Sequence, residues 1–153
     1  MESRDLAQRL LNEIGQRAGV SLRLTNEDSL ALSYDQNSRL FLQVIDHAIL
    51  FSAPLELSVS SEKETVWREI LELNFLNRQT DGCTLGLDPV DSSVWVSYIL
   101  PLDNLGADEL ENACVNFMTT ADRLKERIRS LAEATSPALV PSAPDMYLHQ
   151  LRP

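Results

Sequence analysis

From residue 20 to residue 57 the apolar side chains recur at every second position, in runs separated by only a few polar residues. Leu22 and Leu24 alternate with polar neighbours before the turn Asn26-Glu27-Asp28. Leu30, Leu32 and Tyr34 follow, then the turn Asp35-Gln36-Asn37-Ser38. Leu40, Leu42 and Val44 come next, then a break at Asp46-His47, then Ile49, Phe51 and Leu55. Period two is the signature of strands with one face covered. A parallel crossover needs about a dozen connecting residues, and none of these gaps provides them. The pattern therefore predicts an antiparallel meander of three main strands, with the Leu22-Leu24 pair as a short strand before it.

Either side of the meander the period lengthens to that of helices. Leu6, Leu10, Ile14 and Ala18 recur every fourth residue, widened by Ala7 and Leu11, and predict a helix over 4–18. Ser3 is the expected N-cap and Gly19 the expected stop. Ser61 with Glu64 has the spacing of a capping box and opens a second helix over 62–78. Asp81-Gly82 marks a turn. Residues 83–88 and 93–100 then read as a hairpin, stopped by Pro101. A third helix over 107–133 carries Leu110, Cys114, Phe117, Ala121, Leu124, Ile128 and Leu131 at near-heptad spacing. The stripe is too short for a convincing coiled coil, so it is expected to pack along the sheet. The order α-βββ-α-ββ-α defines an α+β domain over 1–134 with an antiparallel sheet. Four of the seven prolines fall after Thr135, so 135–153 is expected to be a Pro-rich flexible or extended tail.

The second helix has two apolar stripes. Val66, Ile70 and Leu73 form one; Trp67, Leu71 and Phe75 form the other. A helix lying on one sheet uses a single stripe. The second stripe meets either another subunit or another part of the same core. On the last strand, Val94, Val96 and Tyr98 share one face. These six residues are the candidate dimer contacts.

Composition narrows the function. The chain of 153 residues carries 23 acidic and 13 basic side chains, a net charge of -10. Such a chain repels phosphate backbones and anionic membrane surfaces, so no nucleic acid or membrane insertion is expected. The longest purely apolar run is Ala48-Ile49-Leu50-Phe51, far short of the about 20 residues of a spanning helix. Met1 to Arg9 has no apolar h-region, so no secretory signal is expected. Cys83 and Cys114 are the two cysteines; they fit a reducing compartment and read as small buried hydrophobes. His47 and His149 lack metal-ligand spacing, and Gly82 and Gly86 frame no phosphate loop. No catalytic, metal or cofactor residue is assigned, and no cofactor is expected.

The stretch Leu73-Asn74-Phe75-Leu76, then Thr80-Asp81-Gly82-Cys83-Thr84-Leu85-Gly86-Leu87-Asp88, then Tyr98-Ile99-Leu100-Pro101-Leu102 and Leu105 before a long helix resembles the Tir-chaperone (CesT-like) family. These are the class I effector chaperones of bacterial type III secretion. The resemblance runs over about 1–132 and implies a cytoplasmic homodimer without catalytic activity. Such a dimer binds the N-terminal chaperone-binding segment of one or more effectors, keeps it extended, and presents it to the secretion machinery, including the secretion-system ATPase. A regulatory protein that sequesters a transcriptional regulator or anti-activator is the alternative reading, and some related chaperones combine the two roles. An extended guest needs apolar grooves and free sheet edges. Leu6, Leu10, Leu30, Leu32, Leu42 and Phe51 are the candidates for contacting it, with burial in the core as the competing role of each.

Overall fold

The computed structural model describes residues 2–36, 38–58 and 63–134. The elements run α1 (Glu2–Ala18), β1 (Ser29–Ser33), β2 (Arg39–Ile45), β3 (Ala48–Ser58), α2 (Glu64–Asn74), a single 3-10 turn (Phe75–Asn77), β4 (Thr84–Leu87), β5 (Ser93–Pro101) and α3 (Ala107–Ala134). The expected α+β order is present. All strand pairs are antiparallel, in the order β1-β2-β3-β5-β4. The meander of β1 to β3 continues into β5, and the hairpin partner β4 forms the far edge.

Register explains the core. Leu42 lies opposite Phe51, Phe51 opposite Tyr98, and Ala53 opposite Val96. These side chains share one face with Leu40, Ile49 and Val94, and helices cover it. The α3 stripe of Leu110, Phe117, Ala121, Leu124 and Ile128 is buried as expected, with the Phe117 ring 5.6 Å from that of Phe51. The opposite face carries Phe41, Leu50, Trp95 and Ile99, and Phe41 and Trp95 pack ring to ring at 5.8 Å.

Several local expectations need correction. Leu22 and Leu24 form no strand. Gln8 on α1 satisfies their backbone instead: its Nε2 donates to the Leu22 carbonyl at 2.9 Å, and its Oε1 accepts from the Leu24 amide at 2.8 Å. A single side chain thereby stands in for a neighbouring strand. Ser3 lies inside α1, not ahead of it. Gly19 does end that helix, at φ 69, and the Val20 amide bonds back to the Gly15 carbonyl at 2.9 Å.

Ser61, the expected cap of the second helix, lies outside the described residues. The residue ahead of α2, Lys63, makes no side-chain cap bond. A missing cap costs about 1 kcal/mol. Val66, Ile70 and Leu73 are buried, and each contributes about 1.5–3 kcal/mol, so packing holds the helix. It stops at Asn74 rather than 78, because Leu76 and Asn77 take φ of 56 and 49. The proposed tail, 135–153, also lies outside the described residues.

Candidate functional site

The two edges of the sheet differ. At β4, the carboxamide of Asn74 closes the middle of the edge, at Leu85. Its Nδ2 donates to the Leu85 carbonyl at 2.8 Å, and its Oδ1 accepts from the Leu85 amide at 2.8 Å. These are the two backbone groups that a further strand would use. Asn74 is held there because it ends α2, directly after buried Leu73.

At β1 the edge is open over two residues. The Val44 amide donates to the Asp28 carbonyl and the Tyr34 amide to the Ser38 carbonyl, both at 2.9 Å. With Ser29 opposite Gln43, this parity turns Leu30 and Leu32 toward β2 and turns the backbone of Ser29, Ala31 and Ser33 outward. Thr25 caps Ser29: its amide donates to the Ser29 carbonyl at 2.7 Å, and its Oγ1 accepts from the Ser29 amide at 3.3 Å. None of the described residues bonds to the outward amides and carbonyls of Ala31 and Ser33.

The second surface is on α2. Trp67 is half-buried against the core, whereas Leu71 and Phe75 are each 71% exposed. They line a shallow groove with Glu64, Arg68 and Glu72. Leu76, in the left-handed region at φ 56, extends the apolar surface past the end of the helix. A leucine there is strained by about 1–2 kcal/mol. Sequence reasoning missed Leu76, because periodicity carries no sign of a positive φ in a leucine.

The structure divides the twelve predicted contact residues. Leu10, Leu42, Phe51, Val94 and Val96 are buried in the core. The reason is face parity: the strand residues among them point to the helix-covered side of the sheet, and Leu10 lies on the inner face of α1. Leu6, Leu30, Leu32 and Tyr98 are partly buried at the margin of the core. Trp67, Leu71 and Phe75 remain together on one face. The opposite-parity residues Phe41, Leu50, Trp95 and Ile99 were not singled out, although a sheet apolar on both faces and covered on one is itself a signal. Ile99 is 57% exposed.

Two thiols are shifted by their surroundings. Burial pushes the Cys83 thiol up to about 11, with nearby Asp81 adding to the effect. Burial, with Glu111 nearby, pushes Cys114 up to about 12. Both stay protonated near neutral pH, and a protonated thiol is a poor nucleophile and metal ligand. His47 is exposed in the β2–β3 turn, with Nδ1 3.3 Å from the Ser3 hydroxyl. No helix among the described residues is long and apolar enough to cross a membrane.

No curated protein matches the sequence. Among solved structures, the fold is similar to a chain of the ExsC–ExsE complex, at 20% identity and a TM-score of 0.70, over 80% of this chain and 92% of that one. It is similar to a chain of the HopA1–SchA chaperone–effector complex, at 18% identity and a TM-score of 0.63, over 87% and 98%. It is also similar to a chain of the ExoU–SpcU complex from the type III secretion system of Pseudomonas aeruginosa, at 18% identity and a TM-score of 0.62, over 84% and 98%. At such identities these likenesses establish the fold alone. The family model of the Tir chaperone proteins matches residues 9–125, most of the described body. On that match, the chain belongs to the Tir chaperone protein (CesT) family, the effector-binding chaperones of type III secretion.

Proposed function

We propose that the protein works as a homodimer in the bacterial cytoplasm, binding the N-terminal chaperone-binding segment of one or more secreted effectors and keeping it extended and soluble. The observation that carries this reading is the difference between the sheet edges: Asn74 closes the middle of β4 at Leu85, while Ala31 and Ser33 leave two successive outward positions of β1 open to a guest strand. Leu30 and Leu32 flank that edge, with Leu6 among the other half-buried apolar residues, and these three are the guest contacts. Leu71, Phe75 and the exposed part of Trp67 are the dimer contacts. The protein itself performs no catalysis. The loaded complex docks on the secretion machinery, with the secretion-system ATPase among its partners.

Mass spectrometry of what co-purifies with the native protein from secretion-competent cells tests this. A secreted protein, retained through its N-terminal segment, is the expected result, and Ala31→Pro abolishes its retention. That substitution removes an outward amide and leaves the β1–β2 ladder intact. Recovery of no secreted protein overturns the reading. Recovery of a transcriptional regulator or anti-activator in its place supports sequestration of a regulator instead.

A further inference from the structure

A cavity of about 580 Å³ opens between α3 and the end of β5, away from both surfaces above. It exists because β4 is short. Thr84 pairs with Ser97, and past that point Tyr98 to Pro101 have no strand on the β4 side. Tyr98 and Phe117 form the aromatic floor, and Cys83 lies beside them. Gly82, beside the Tyr98 ring, takes φ 82, a conformation that favours glycine.

The rim is rich in acceptors. Thr120 donates its hydroxyl proton to Asp81 at 2.9 Å, and Thr119 donates its own to the Val115 carbonyl at 2.9 Å. Both hydroxyl oxygens are left with lone pairs only. Arg123 neutralises Asp81 at 2.7 Å. Glu109 takes the Gly106 amide on Oε2 at 2.5 Å, and no cation is paired with it among the described salt bridges. Asn112 and Asn116 add amide oxygens. The cavity therefore offers a net negative charge, several acceptors and an aromatic surface. The matching side chain is flat, cationic and rich in donors. A guanidinium meets all three conditions, whereas an ammonium is a compact point charge that stacks poorly.

We propose that this cavity is a specificity pocket for an arginine side chain carried by the guest. The proposal rests on the chaperone reading above. The net charge of -10 adds long-range attraction to a basic guest.

The test uses the full chain and a small probe, N-acetyl-arginine amide, titrated by amide NMR. Saturable shifts centred on Asn112, Asn116, Thr119 and Thr120 are expected, with affinity in the millimolar range for so small a ligand. The citrulline analogue, equal in shape but uncharged, should bind at least about tenfold more weakly, and Glu109→Gln should weaken the arginine probe about tenfold. Glutamine keeps the acceptor for Gly106, so the turn survives that change. Asn116→Trp should fill the cavity and remove binding while circular dichroism stays unchanged. Equal binding of the citrulline analogue, shifts centred elsewhere, or no saturation at several times the expected concentration each overturn the pocket, including the case in which a second copy covers it. Probe binding without a co-purifying guest rejects the chaperone reading alone, and a co-purifying guest without probe binding rejects the pocket alone.

Discussion

Asn74 shows how much a single side chain decides. One carboxamide satisfies both outward groups of Leu85 and so blocks the middle of the β4 edge. Asn74→Ala leaves an amide and a carbonyl without partners at a partly buried position. The expected loss is about 1–3 kcal/mol, measurable as a lower urea midpoint at unchanged slope. The variant should also self-associate through β4, read by light scattering. An unchanged midpoint would show that water replaces the amide at no cost. The cysteines make a second prediction at this scale. Burial raises their pKa values in the fold above that of a free thiol, to about 11 for Cys83 and about 12 for Cys114. Above pH 9 the unfolded chain therefore releases thiol protons that the folded chain retains. The stabilisation is complete below that pH and is lost as the pH rises toward 11–12. Urea titrations at pH 8 and pH 10 should show the lower midpoint at pH 10; equal midpoints would mean that the thiols ionise freely in the fold.

Among the elements, α2 carries the sharpest division of labour. One stripe holds the helix to the sheet, and the other is left to solvent at Leu71 and Phe75. Trp67 belongs partly to both, so a charge there would damage the fold as well as any interface. Leu71→Glu separates the two roles. It should leave the melting of the monomer unchanged and weaken the dimer at least about thirtyfold, as for an interface hot spot. Sedimentation velocity across a concentration series reads this directly, and an unaltered dimer would remove α2 from the interface. The third helix teaches the converse lesson. Its near-heptad spacing admits a coiled coil, but its stripe is used up within the domain, against Phe51 and its neighbours.

Across the whole molecule, the acidic excess has a place. Residues 29–105 hold eleven acidic and four basic side chains, whereas 106–134 hold six and four. The excess therefore belongs to the strands, α2 and their loops. Like charges on that body oppose self-association of a molecule that exposes Leu71, Phe75, Leu76 and Ile99. Such an arrangement suits a carrier that must bind apolar guests and remain dissolved. Guest binding that has an electrostatic component should weaken as salt rises.

The sequence by itself determined the element order, the antiparallel sheet and the helix stripes, because period two and period four are local consequences of backbone geometry. It also carried the family resemblance, since the turn and strand-end residues from 73 to 105 are contiguous in the chain. Which face of each strand is covered was not a local property. Leu42 and Phe51 have the same alternating pattern whether they face a guest or a core, and only the seating of the helices over that face buries them. The Asn74 bond to Leu85 depends on where α2 ends against β4, and the cavity left where β4 stops short of Tyr98 joins residues from Asp81 to Thr120. Contacts of that kind are fixed by packing and register, which exist only once the chain has folded.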